Sequence, residues 1–148
     1  MECVKTNKGS KIKAEYIMVD RIITSIVIDD DLDTVELFSE YLEIKGIHVV
    51  GKGYDGKEAV ELYQKLKPDV IFLDIMMPHY DGFYAVEQIR KIDPDAKLIM
   101  VTADLTSDTA DILAEQKVSV VYKPYEFEDI LATIDKLTKS SAGNSLLI

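Results

Sequence analysis

Five short apolar runs recur along this chain, each followed by a stretch of helical period, and that alternation restricts the fold more than any other feature. The runs are Ser25-Ile26-Val27-Ile28, His48-Val49-Val50, Val70-Ile71-Phe72-Leu73, Leu98 to Val101 and Val118 to Tyr122. They are too short for helices and rich in β-branched residues, so they read as strands, and the continuously apolar ones as strands buried on both faces. Between them lie helical stripes. Val35, Phe38 and Leu42 form the first, opened by an Asp33/Glu36 capping box and ended at Gly46. Ala59, Val60, Tyr63 and Leu66 form the second, closed by Pro68. Val86, Ile89 and Ile92 form the third, with Asp81-Gly82 as cap and turn. A short fourth helix starts at one of Thr106, Ser107 or Asp108, and the fifth carries Phe127, Ile130, Leu131, Ile134 and Leu137. Repeated strand-helix units with right-handed crossovers wind into an open parallel α/β sheet covered on both faces.

The chain's 148 residues suit one such domain. Residues 1 to 21 differ from the rest: five basic side chains (Lys5, Lys8, Lys11, Lys13, Arg21) face three acidic ones, for a net charge of +2 within a chain of net charge -10. We expect a flexible N-terminal extension over 1–21, a folded domain over 22–139 and a flexible C-terminal tail over 140–148. The acidic balance excludes a grip on nucleic acid or an anionic membrane. Cys3 is the only cysteine, which rules out an intrachain disulfide and suits a reducing compartment. No apolar stretch is long enough to span a bilayer, so a cytoplasmic location is expected.

In a doubly wound sheet, ligands bind beyond the carboxyl ends of the strands. There the polar residues converge: Asp29-Asp30-Asp31 after the first strand, Asp74 after the third, Thr102-Ala103 at the fourth and Lys123-Pro124 after the fifth. Carboxylates gathered on one rim repel one another unless a hard divalent cation neutralises them, and magnesium, which retains waters and accepts phosphate oxygens, suits that role, with manganese as the alternative. Asp74 is then the nucleophile, with the Thr102 hydroxyl and the Lys123 ammonium placed to hold a transferred group's oxygens. His48 and His79 are too few for a metal cluster, and His79 is expected in a loop near the rim.

Ile-Val-Ile-Asp-Asp-Asp, Phe-Leu-Asp-Ile-Met-Met-Pro, Val-Thr-Ala and Tyr-Lys-Pro, in that order, resemble the motifs of the CheY-like receiver domain of two-component response regulators, over about residues 22 to 138. The resemblance implies a flavodoxin-like sheet of order 2-1-3-4-5 with five helices. It also implies phosphorylation of Asp74 by a histidine kinase or a histidine phosphotransfer protein, with autodephosphorylation rather than turnover of an external substrate. Magnesium would be held by Asp30, Asp74 and the backbone carbonyl of Met76, with Asp29 acting directly or through water. Thr102 would hydrogen-bond the phosphoryl group and Lys123 would pair with it, ahead of a cis bond to Pro124.

Two positions qualify this. Receivers often carry Tyr or Phe three residues before the lysine, and here that residue is Val120; Tyr122 is expected to point to the opposite strand face. The expected output is therefore a reduced side-chain signal on the face of the fourth helix, fifth strand and fifth helix, read by an unknown protein. Met76 and Asp104 are expected to tune phosphate lifetime. The alternatives are a pseudo-receiver that only binds protein, a receiver cut from a longer regulator with an output domain, and a phosphatase of the haloacid dehalogenase type. That phosphatase would need a second aspartate where Met76 stands.

Overall fold

The computed structural model describes residues 22–103 and 105–146, with side chains as far as Thr138. Cys3, the lysines before Arg21 and Asp104 lie outside the described residues, as do Leu147 and Ile148. The elements run β1 (Ile23–Ile28), α1 (Leu32–Ile44), β2 (Ile47–Gly53), α2 (Gly56–Leu66), β3 (Val70–Leu73), α3 (Gly82–Ile92), β4 (Leu98–Thr102), α4 (Ser107–Glu115), β5 (Ser119–Tyr122) and α5 (Phe127–Leu146). All strand pairs are parallel, in the order β2-β1-β3-β4-β5. This is the doubly wound sheet expected from the alternation. The last helix continues beyond Lys139, so helical backbone enters the segment assigned to the tail.

Strand pleating divides the core in two. Ile26, Ile28, Ile71, Leu73, Leu98 and Met100 point to one face and pack on Ala59 and Tyr63 of α2, Ala85, Val86 and Ile89 of α3 and Leu113 of α4. Val27, Phe72, Ile99, Val101 and Val121 point to the other, against Val35, Phe38 and Leu42 of α1 and Ile130 and Ile134 of α5. β3 and β4 are buried throughout because helices cover both their faces. Edge strand β5 is less enclosed, and Tyr122 at its end is half exposed.

Helix starts follow the expected side chains with one correction. Asp81 caps α3 by accepting from the Tyr84 N–H, and Thr106 caps α4. At α1 the cap is Asp31, which accepts from the Thr34 N–H at 2.9 Å and the Thr34 hydroxyl at 2.6 Å, while Asp33 sits in the first turn. The helix starts two residues earlier than the Asp33/Glu36 pair indicates because Asp31 has the extended backbone that an N-cap needs. Past α1, Gly46 takes a φ of 93°, the left-handed conformation that ends helices at little cost to glycine.

Candidate functional site on the carboxyl rim of the sheet

The two inner strands deliver the acidic residues. The Asp74 N–H donates to the Ile28 carbonyl at 3.0 Å, continuing the β1-β3 ladder one step past the strands, and the Asp29 N–H donates to Gly53 at 3.2 Å. Both backbones are thus fixed at the point where their side chains leave the sheet. Carboxylate oxygens of Asp29, Asp30 and Asp74 come within 4.8 Å of one another. Asp29 is buried, Asp74 half-buried and Asp30 exposed, so the cluster opens outward on the Asp30 side. Asp31, the third residue of the run, turns away to cap α1, and its N–H donates to Asp29 Oδ1 at 3.0 Å.

Burial pushes the Asp74 carboxyl up to about 6; the Asp29 charge adds to the effect, and the Lys123 charge with the Ile75 N–H opposes it. Asp29 is also held above the usual carboxylate range, again by burial first, against the Asp31 N–H and Lys123. Two adjacent carboxyls that resist ionisation mark a site short of positive charge. The deficit suits a divalent cation. Octahedral magnesium bonds oxygen at about 2.1 Å, which places its ligand oxygens about 3 to 4 Å apart, a spacing compatible with carboxylate oxygens that all lie within 4.8 Å of one another. Met76 follows in the loop after β3 with its side chain largely exposed.

Thr102 ends β4, is buried, and accepts the Lys123 N–H through its carbonyl at 2.8 Å, which ties the loop after β5 to the end of β4. The Lys123-Pro124 peptide bond is cis. His79 is an exposed loop residue with a φ of 68°. Val120 packs against the core shared with α2 to α4. Tyr122, two residues on, shares its strand face by the period of the pleat, which corrects the expectation that it points to the opposite one. Its ring is half exposed beyond the core.

Several residues position the site in ways the sequence pattern does not reveal. A Cβ on Gly82 would lie 2.5 Å from the Asp74 carbonyl and 3.0 Å from Ile75 Cα, so only glycine lets α3 begin so close to the acceptor strand's exit. Gly56 plays the same part against the Tyr80 carbonyl, which accepts its N–H at 2.6 Å. Thr34, Phe38, Phe72, Val101 and Tyr125 join Asp29, Asp74 and Lys123 around a cavity of about 30 Å³ behind the carboxylates. Tyr125 packs edge-on to Phe38 and Tyr41, so the segment carrying Lys123 is anchored to α1 by aromatic contacts. An aromatic two residues after the lysine was the only sequence signal for this.

Residues 26–135 match the family model of the response regulator receiver domain. The chain is a receiver domain of two-component signalling. It is 31% identical over 117 residues to the chemotaxis protein CheY of Thermotoga maritima, covering 77% of this chain and 96% of that one. The CheY of Listeria monocytogenes is 30% identical over 115 residues, covering 77% and 97%. In fold, the receiver superposes on a chain of the CheX-CheY-BeF3-Mg+2 complex from Borrelia burgdorferi with a TM-score of 0.73, at 24% identity and over 78% and 89% of the two chains. Receivers in general are phosphoacceptor switches, and the acidic cluster fits the divalent cation that the family binds.

Proposed function

We propose that this receiver accepts a phosphoryl group on Asp74 from a phosphohistidine of a sensor kinase or phosphotransfer protein, and that the resulting change alters its contacts with an output protein. The observation that carries the reading is the meeting of the Asp29, Asp30 and Asp74 oxygens on the rim where Thr102 ends β4 and Lys123 follows β5. An Asp74 oxygen forms the new bond to phosphorus as the phosphorus–nitrogen bond breaks, and the imidazole leaves with the electron pair and takes up a proton. At neutral pH Asp74 is ionised and also more basic than an ordinary aspartate, both of which favour attack. Asp29, Asp30, Asp74 and the Met76 carbonyl would hold magnesium, which when bound offsets the charge of the incoming phosphoryl oxygens. The Thr102 hydroxyl hydrogen-bonds one of those oxygens and Lys123 pairs with another. Hydrolysis of the acyl phosphate by the same site returns the protein to its starting state, and a cytoplasmic location accords with a kinase donor.

The readout runs through α4, β5 and α5, with Val120 supplying less side-chain movement than an aromatic would. Incubation with acetyl phosphate and magnesium is expected to label wild type at Asp74, as located by mass spectrometry, and to leave Asp74→Asn unlabelled. Absence of label on wild type would make the chain a pseudo-receiver. Backbone NMR spectra of the α4-β5-α5 face that stay the same with and without a beryllofluoride mimic would sink the readout.

A further inference from the structure

Lys123 and the rings behind it form a continuous path from the acidic rim to α1 and the start of α5. The Lys123 charge bears on both Asp29 and Asp74, and the residue lines the same cavity of about 30 Å³ as Phe38, Phe72 and Tyr125. Tyr125 stands edge-on to Phe38 at 5.6 Å and to Tyr41 at 5.9 Å, and Tyr41 stands edge-on to Phe127, the first residue of α5, at 6.1 Å. The Lys45 ammonium, at the end of α1, closes the path over the rings of Tyr41 and Phe127, 6.0 and 5.4 Å from their centres. β5 supplies no comparable path, since Val120 and Val121 are aliphatic and the ring of Tyr122 is half exposed.

The backbone on either side of Tyr125 is held. The Lys123 N–H donates to the Thr102 carbonyl at 2.8 Å, and the Glu126 N–H donates to Asp129 Oδ2 at 3.0 Å. Only Pro124 and Tyr125 lie between these anchors, so a shift of Lys123 has little chain in which to dissipate before it reaches the Tyr125 ring. Phe38 is braced from beneath by Phe72, edge-on at 5.2 Å. The cavity, large enough for a water molecule, leaves space beside Tyr125 that a ring can enter in an otherwise close-packed core.

We infer that Tyr125 is a second reporter of phosphorylation: as Lys123 pairs with the phosphoryl group, the Tyr125 ring shifts into the cavity and re-seats against Phe38 and Tyr41, so that α1 and the start of α5 register the change alongside the α4-β5-α5 face. The inference rests on the reading of Asp74 as phosphoacceptor. A packed ring with an adjoining void has two discrete seats, which is the kind of element that carries coupling between distant surfaces.

Fluorine NMR of the full chain carrying 3-fluorotyrosine, with signals assigned through Tyr→Phe variants, tests it. Adding magnesium and a beryllofluoride mimic is expected to move the Tyr125 and Tyr41 signals by several linewidths, while Tyr63, on the opposite face of the sheet, stays in place. Tyr125→Leu is expected to abolish the Tyr41 shift and Tyr125→Phe, which keeps the ring, to retain it; an unmoved Tyr63 signal shows that each variant keeps its fold, and the wild-type comparison needs no variant. Backbone amides of Asp74 and Thr102 that respond to the mimic while Tyr125 and Tyr41 stay still overturn this inference alone. So does a Tyr41 shift that survives Tyr125→Leu, or an equal shift of all three tyrosines. Amides of Asp74 and Thr102 that do not respond overturn the phosphoacceptor reading and this inference with it.

Discussion

The two ends of the sheet are built on opposite plans. At the amino end of the strands several polar groups are closed on one another. Thr24 donates to Asp69 through both its N–H and its hydroxyl and accepts the Asp69 N–H in return, which locks β1 to the start of β3. The Tyr63 hydroxyl joins α2 to Asp93 at 2.5 Å, a bond that holds the Asp93 carboxyl below its ordinary range. Arg90 spreads its guanidinium over the carbonyls of Ala96, Gln116 and Lys117. At the carboxyl end the backbones are as well fixed, but buried Asp29 and half-buried Asp74 have their charges only partly offset by Lys123 and neighbouring N–H groups. One end is complete as folded. The other gathers acidic groups that fit the divalent cation the family binds.

The largest expected effect tests the closed end. Arg90→Ala leaves three carbonyls without their donor and should cost about 3 kcal/mol in urea unfolding, while the rate of Asp74 labelling by acetyl phosphate per folded molecule stays as in wild type. A comparable fall in labelling would show that the two ends are not separate. Next, magnesium at a hundredfold excess over its dissociation constant should stabilise wild type by about 2.7 kcal/mol, read as a rise in Tm, and should do so far less in Asp29→Asn or Asp30→Asn.

A smaller effect carries a pH signature. Without divalent ions, Asp74→Asn should be more stable than wild type at neutral pH. The shift from 3.8 to about 6 sets a ceiling of about 3 kcal/mol, and solvent access to this half-buried group reduces it to about 1 to 2 kcal/mol. The sign follows from the raised pKa. The carboxyl's favourable contribution is fully present below about pH 4, and wild type loses it as pH rises through 6, so the two stability curves converge in acid and separate above. Curves that stay parallel would remove burial of the acceptor from the account. The smallest change is Asp31→Ala, which should cost about 1 kcal/mol as a lost helix cap and leave the magnesium response intact. Loss of that response would place Asp31 among the ligands rather than among the caps.

The carboxyl end was legible in the sequence and the amino end was not. Strand exits announce themselves, because Asp29, Asp74, Thr102 and Lys123 each interrupt an apolar run where the period changes. Apart from the Arg90 bond to Ala96, the clamps at the other end join residues 26 to 45 positions apart, Arg90 with Gln116 and Thr24 with Asp69 among them, and such pairings leave no local pattern. At α1 capping was readable only within two residues: Asp31 and Asp33 offer the same chemistry, and the backbone rather than the side chain selects between them. Gly82 was read as a turn former, yet its role is steric and concerns a carbonyl eight residues earlier in sequence.

Arg90 also ties the end of α4 to α3. Its bonds to the carbonyls of Gln116 and Lys117 hold the far end of that helix, and Leu113, the helix's one buried side chain, lies near the same end. Among the described residues, the first turn shows no guanidinium clamp of this kind. A displacement begun at β4 is therefore expected to shift the first turn of α4 more than its clamped end, as on a lever held at one end, with the exposed Ile112 between the two.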